Sequence, residues 1–547
     1  MGVFNDITKE SVHRAVFFFS LSLFAVSLPL SRYFITISEI LLAGNWLAEG
    51  NFRKRLRHLW ADRPALAFVM VYIIGVIGLL WSRDPASGIA NDLLHKSPTL
   101  FLPVIFATTP APERKKIRLI LLLFILSVFT VSLVGVYIRE FRDDPFFRSA
   151  SPFIPGLYLG LMLVIAAAQL PLLVKQADAK SRWFYLSLVI SGWFIFFLLY
   201  LRTLSAIVSL SAIMLFILVV IVRRTGNTFL RITIPAIIIT VAVMALWPLP
   251  GIYSQVNAGN RVDFSTLPVA TASGTPYLHD TVSIIRENGY PVYIYLADSE
   301  LRESWNRRSS LDFDGRDLMG QELKPTIYRY MSSLGLPKDS AGMALLTDRD
   351  ISEIERGTTN HHNVGRPGIY IRAYEELMSL SIYYASGRRE TSWGSFTKRI
   401  DLWRASLEAF RKHPLLGWGT GGVLKAMDYG MEQTGSTLAG LNMKPHSQYL
   451  HLLLSHGLAG FMVTVILLWY FFWKKKACNS FMFMLFLVLF LVHFTGNNSF
   501  ESQPGQDLFV FFSMLYAYHY PLPGREEVLK KEAEQKKNQG PSTDPGI

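Results

Sequence analysis

The residues best suited to chemistry are one histidine and two arginines at the edges of apolar runs. His446 stands in Lys444-Pro-His-Ser-Gln-Tyr-Leu450, where a long polar stretch gives way to an apolar one. An imidazole near its free pKa can take a proton from a hydroxyl at neutral pH, so His446 is a candidate general base. The plainer role is an interfacial histidine hydrogen-bonded to a neighbour. Arg202 occupies a very tight turn between two apolar runs. Its planar fork matches phosphate oxygens, and a charge this close to an apolar core is a functional candidate by default. The plainer role is a snorkelling arginine that sets a helix end. Arg399 has the same two roles open to it. It lies in a stretch from Phe396 to His413 that reads as an amphipathic helix, with Ile400, Trp403, Leu407 and Phe410 at 3–4 spacing on a shared face. That helix is suited to the surface of a membrane leaflet.

The elements that must position these residues are mostly membrane helices. Of 547 residues, 51% are hydrophobic and 17% charged. The formal charge of +13 falls in short clusters between apolar runs, which argues against nucleic acid as the partner. Apolar segments at 12–30, 33–49, 65–82, 90–108, 117–138, 154–174, 183–201, 204–222, 229–248, 448–472, 480–497 and 506–520 have the length of membrane spans. Asn45 interrupts the second, and His95-Lys96 interrupt the fourth. With the N-terminus in the cytoplasm, lysines and arginines crowd the inner segments, and only Arg32, Arg83, Arg139, Arg142, Arg148 and Arg202 fall in the short outer loops. The positive-inside rule then gives both termini inside and places the polar stretch outside the cytoplasm. No small-residue cleavage site follows the first segment, so it is read as an uncleaved span. The single cysteine, Cys478, excludes a disulfide within the chain.

The expected organisation is a membrane domain at 1–250, a loop subdomain at 251–445, a second membrane domain at 446–520, and a charged, solvated cytoplasmic tail at 521–547. The loop carries helical patterns around Thr326 and Tyr370. From His446, residues Leu450, Leu453, Gly457, Gly460 and Thr464 follow at helical spacing, which predicts one packed stripe with the histidine on it. Several other motifs carry little. Gly417-Trp-Gly-Thr-Gly-Gly422 follows a helix and not a strand, against a dinucleotide loop. Asp312-Phe-Asp314 lies outside the membrane, where nucleotide sugars are not expected. Asn360-His-His-Asn363 lacks accompanying metal ligands and reads as a solvated loop. His493 and Asn497 read as interhelical hydrogen-bond partners.

The order Leu201-Arg-Thr203, Arg399-Ile-Asp-Leu-Trp403, His413-Pro-Leu-Leu-Gly-Trp-Gly-Thr-Gly421, His446-Ser-Gln-Tyr-Leu450 and Ser455-His-Gly-Leu-Ala-Gly460 resembles the O-antigen ligase and polymerase superfamily of bacterial envelope glycan enzymes. Glu300-Leu-Arg-Glu-Ser-Trp-Asn306 and Leu323-Lys-Pro-Thr-Ile-Tyr-Arg-Tyr330 look like a ligase-like branch of Bacteroidetes type. The resemblance implies an all-α polytopic fold of about twelve spans, glycosyltransferase C-like, with a large, mostly helical periplasmic loop between the ninth and tenth. It implies an inner-membrane enzyme with a periplasmic site, no cofactor and no metal. The donor would be an undecaprenyl-pyrophosphate-linked glycan and the acceptor the lipid A–core of lipopolysaccharide. His446 then takes the catalytic place, and Arg202 and Arg399 take the pyrophosphate, with Trp403, Gln448 and Tyr449 as further substrate-binding candidates. Two departures stand out. Ser447 replaces the usual asparagine after the histidine, and Leu201 replaces the serine often found before the outer arginine.

A pyrophosphate leaving group already carries the charge that most sugar transfers must stabilise, and two arginines can hold it. One base then suffices, and in-line attack inverts the anomeric centre. O-antigen polymerase and protein O-oligosaccharyltransferase differ from the ligase mainly in acceptor. A lipid-glycan transporter without chemistry fits less well, since no internal repeat accompanies the large loop.

Overall fold

The computed structural model describes residues 9–141, 150–177, 182–224, 226–388 and 394–518, and within them the chain is predominantly helical. The tail at 521–547, together with Arg142, Arg148 and Lys180, lies outside the described residues. Among the described residues, six helices are long and apolar enough to cross a membrane: Arg63–Trp81, Arg114–Phe141, Gly156–Lys175, Arg182–Tyr200, Leu204–Arg223 and Gln448–Lys474. Pro98–Thr108 and Phe481–Gly496 are shorter apolar helices. The remaining apolar runs also fold as helices, at Lys9–Ser27, Arg32–Glu49, Thr228–Leu246 and Gln503–Tyr518. This is a helical, polytopic membrane protein.

The run at 90–108 is not one continuous helix. A π-helical turn covers Gly88–Leu93, and an α-helix resumes only at Pro98. Between them Lys96 turns inward to Glu501, at 2.8 Å. Burying that ammonium needs a partner more than the segment needs a continuous helix, and Pro98 is at home in the first turn, where its missing N–H costs nothing.

At the centre stands Gln503–Tyr518, buried on all sides from Pro504 to Tyr516. Phe509 lies 5.1 Å from Phe490 and 4.9 Å from Phe500, ring centre to ring centre. Lipid offers no hydrophobic gain for helix association, so interlocked rings supply dispersion instead. Polar cross-links add direction, such as Gln506 Nε2 donating to Thr99 Oγ1 at 2.7 Å.

The polar stretch builds its own core. Helices Asp298–Arg308 and Leu323–Ser333 bury Trp305, Ile327, Tyr330 and Met331 together with Phe313. The short helix Asp348–Glu355 starts with a complete capping box between Thr347 and Asp350. The Asn360 segment is not a solvated loop. Asn360 is fully buried, and its Nδ2 donates to Glu287 Oε2 at 2.7 Å and to the Tyr374 hydroxyl at 2.8 Å. The buried Glu287, paired with Arg329 at 2.7 Å, requires those donors.

Three helices then lead back to the membrane part: Gly368–Ala385, Ser395–Lys412 and Val423–Thr434. On Ser395–Lys412 the packed face is Leu402, Ala405 and Ala409 against Val423 and Met427; of the shared apolar face, Phe410 packs partly against this cluster, and Ile400 and Trp403 are half-buried. Small residues win the packed side because Gly430 sits directly on the Ala405 backbone. Leu407 is left 48% exposed.

Candidate functional site

Two local decisions build the site. The first is the break in Gln448–Lys474. Gly457 has φ +65° and non-helical geometry. A side chain there would strike the Leu415 carbonyl. The loop after Ser395–Lys412 enters this break. Leu458 N donates to Pro414 O at 2.8 Å and Ala459 N to Leu415 O at 3.1 Å, while Trp418 N and Gly419 N donate to Leu454 O and Ser455 O at 2.7 and 3.0 Å. Amides and carbonyls freed by the break are thus re-paired, as apolar surroundings demand. The same loop also grips the first membrane part. Thr420 Oγ1 donates to Gly75 O at 2.7 Å, and Gly421 N donates to Asp92 Oδ2 at 2.9 Å. Gly417, Gly419 and Gly421 all have positive φ, and a side chain at any of them would meet backbone.

The second decision is the turn at Asn497–Glu501. Gln448 N donates to Asn497 O at 3.1 Å, and Gln448 Oε1 accepts from Phe500 N at 2.8 Å. Gln448 Nε2 lies 3.3 Å from Glu501 Oε1. The Tyr449 hydroxyl donates to Leu491 O at 2.8 Å. Gln448 and Tyr449 therefore spend their polar groups on holding the end of Phe481–Gly496 against the start of their own helix.

His446 precedes that helix and is not on its packed stripe. It has φ +50°, Ser447 caps the helix after it, and the buried face runs through Gln448, His451, Leu454 and Ser455. The stripe fails because the helix starts two residues later than the histidine and breaks at Gly457. The His446 ring is half-buried and makes no hydrogen bond among the described residues. Burial, then the nearby positive charge of Arg399, hold its pKa below the ordinary histidine value. Both effects favour the neutral ring, the form that accepts a proton.

Arg399 is half-buried beside it, with Nη2 3.4 Å from Asn497 Oδ1. Burial lowers its pKa; Glu376 counters this, and Arg372 adds to it. Trp403, one turn further on, has a buried Nε1 with no hydrogen-bond partner among the described residues. Asn497 is the member that sequence reading missed as a site residue. Its signal was a polar pair with His493 closing an otherwise apolar run.

Arg202 stands apart from this trio. It has φ +53° at its turn, and its guanidinium lies against Gly368, the first residue of Gly368–Ala385. Burial and then Arg139 lower its pKa, while Glu375 raises it. Arg202 lines a cavity of about 1320 Å³ together with Arg139, Arg329, Arg356, Arg372 and Glu375. His446 and Arg399 are not among its lining residues. The helix Gly368–Ala385 links the two places, because the charge of Glu375 acts on Arg202 while that of the adjacent Glu376 acts on Arg399. Glu376 is itself held by Arg372 at 2.6 Å. The arrangement offers an arginine-rich cavity large enough for an oligosaccharide and, apart from it, an imidazole biased toward its neutral form near a guanidinium.

Asp92, His451 and Glu501 place ligand atoms within 4.8 Å of one another. Lys96 already fills the cation's role there, at 2.8 Å from Glu501.

Residues 364–465 match the family model described as O-antigen ligase. No curated protein matches the chain. The matched stretch holds Gly368, Arg399, Trp403, the glycine loop, His446 and the helix break, and the match supports the O-antigen ligase and polymerase superfamily.

Proposed function

We propose that the protein transfers a glycan from undecaprenyl pyrophosphate to the lipid A–core of lipopolysaccharide on the periplasmic face of the inner membrane, as a twelve-span protein. His446 acts as general base on the attacking sugar hydroxyl. Arg202 and Arg399 hold the pyrophosphate, and Trp403 Nε1 is a further donor to substrate. Gln448 and Tyr449 position His446 instead of touching substrate. The carrying observation is the unpartnered His446 ring beside Arg399, both inside the matched stretch. The arginine keeps the imidazole neutral before reaction and takes charge from the leaving group as it develops. Attack from the side opposite the pyrophosphate inverts the anomeric carbon, the hydroxyl proton goes to His446, and the carrier pyrophosphate leaves.

The test is electrophoresis of lipopolysaccharide and glycoproteins from a strain lacking the gene, complemented with wild type or His446→Ala. Loss of polymer-bearing lipopolysaccharide with accumulation of lipid-linked glycan, restored only by wild type, supports the ligase. Single-repeat lipopolysaccharide would make the protein a polymerase instead, and loss of protein glycans alone an oligosaccharyltransferase. Full restoration by His446→Ala would remove the histidine from the mechanism.

A further inference from the structure

Lys338 is the least expected residue in the polar subdomain. It is 1% exposed, yet its ammonium makes no hydrogen bond or ion pair among the described residues. Its backbone is tied on both sides, N donating to Tyr295 O at 2.9 Å and O accepting from Ala297 N at 3.0 Å. The side chain is therefore held where it is by the chain around it. Burial pushes its pKa down to about 7. An unpaired buried ammonium is costly and answers by giving up its proton more readily, and groups shifted in this way cluster at functional sites.

Lys338 lines a cavity of about 480 Å³. Tyr277, Tyr290 and Tyr295 form much of its wall, with Arg261 at the mouth. Arg261 lies 5.5 Å over the Tyr290 ring. Of the acid groups nearby, Asp339 takes the Tyr277 hydroxyl, whereas Asp263, which accepts from Ser265 N at 2.9 Å, keeps its charge and lines the cavity with Arg261. The cavity thus offers flat rings that suit the apolar face of a sugar, together with a guanidinium and an amine that form no ion pair among the described residues. Its lining residue Ser332 belongs to Leu323–Ser333, whose Thr326 and Arg329 line the large arginine-rich cavity.

We propose that this cavity binds a sugar residue carrying a carboxylate or phosphate, with the anionic group on Lys338 and Arg261 and the ring against the tyrosines. The sugar half of the assignment rests on the glycan-transfer reading; the anion half does not. The site gives the enzyme a second hold on an acidic glycan, away from the reacting bond.

The experiment measures binding of glucuronic acid, glucose 6-phosphate, glucose and inorganic phosphate to the full chain in lipid nanodiscs, by saturation-transfer NMR. Wild type, Lys338→Met and His446→Ala are compared. Glucuronic acid or glucose 6-phosphate should bind wild type and His446→Ala equally and lose about tenfold or more in affinity with Lys338→Met; which of the two binds tells carboxylate from phosphate. Glucose should bind far more weakly. Equal binding by wild type and Lys338→Met, or no binding of either acid to wild type, overturns the site. Inorganic phosphate binding as tightly as the sugar phosphate overturns the sugar half. Methionine is apolar and of similar length, so the variant should fold, which its thermal midpoint checks. Because no readout uses transfer, failure of the ligase reading and failure of this site are distinguishable.

Discussion

Gly368→Ala is the most revealing single change. Gly368 opens the helix Gly368–Ala385 with ordinary negative φ, so alanine is compatible with its backbone. A methyl there would fall on Nε, Cζ and Nη2 of Arg202, well inside the 3.4 Å at which ordinary contact begins. The neighbour is the end of a flexible side chain lining a cavity, so it can move, and by about 1 Å. At this first helical residue the helix gains a fraction of the about 1 kcal/mol that alanine gives over glycine in a helix interior. Stability should therefore hold or rise while the guanidinium shifts off its place. A misplacement of about 1 Å can cost about a hundredfold in rate, or about 2.7 kcal/mol of transition-state stabilisation. The assay is transfer of lipid-linked glycan by purified Gly368→Ala, Arg202→Ala and the double variant, with thermal midpoints alongside. Gly368→Ala should lose about a hundredfold, and the double variant little more than Arg202→Ala alone, since both act on one group. Full activity in Gly368→Ala, or losses that simply add, would refute the placement of Arg202 in the mechanism.

Three further outcomes are expected. Arg399→Lys should lose most activity, because an ammonium cannot donate two parallel bonds to a phosphate; turnover near wild type would reduce Arg399 to a structural role. The acid limb of the rate profile should lie below the ordinary histidine value near 6.5, since neutral His446 is the active form and burial and Arg399 both lower its pKa. Arg399→Gln should move that limb upward, and a downward move would contradict the assignment. Gly457→Ala should impair folding, because its φ of +65° strains any side chain and the methyl meets the Leu415 carbonyl, which cannot yield without opening the loop. Normal yield and thermal midpoint of that variant would falsify the account of the helix break.

The helices were largely legible because apolar length and charge clusters act locally. Lys9–Ser27, Arg114–Phe141 and Gln448–Lys474 begin and end within a few residues of the expected runs. Where the reading failed, a distant partner decided. His95-Lys96 looked like a weak spot in a span, and became a break because Glu501, far along the chain, takes the ammonium. Asn360 looked like a polar loop, and became buried because Glu287 needed donors. On Ser395–Lys412 a glycine of Val423–Thr434 selects the alanines as the side that packs, which the apolar pattern of Ile400, Trp403, Leu407 and Phe410 did not show. Arg202, Arg399 and His446 were each legible as chemistry-bearing types. Their arrangement was not: Asn497 joins Arg399 to the helix start beside His446, and only the fold brings it there. Lys338 gave no signal, since a lysine's burial cannot be read from its neighbours in sequence.

The glycine loop explains why these residues share one short stretch of chain. Pro414–Thr420 is stitched into the break at Gly457 by backbone bonds running both ways. Neither the break nor the loop is tenable alone in apolar surroundings, because each would leave amides or carbonyls unpaired. The loop is the direct continuation of the helix bearing Arg399. The break lies about two and a half turns into the helix that His446 introduces. Locking loop into break therefore sets the Arg399 helix against the start of the His446 helix, and the Asn497 turn closes the remaining freedom through Gln448. Thr420 and Gly421, bonded to Gly75 and Asp92, carry the same lock to the first membrane part. A run of glycines that carries no reactive group thus determines where the reactive groups stand, which is why substitutions there should disturb both arginine and histidine at once.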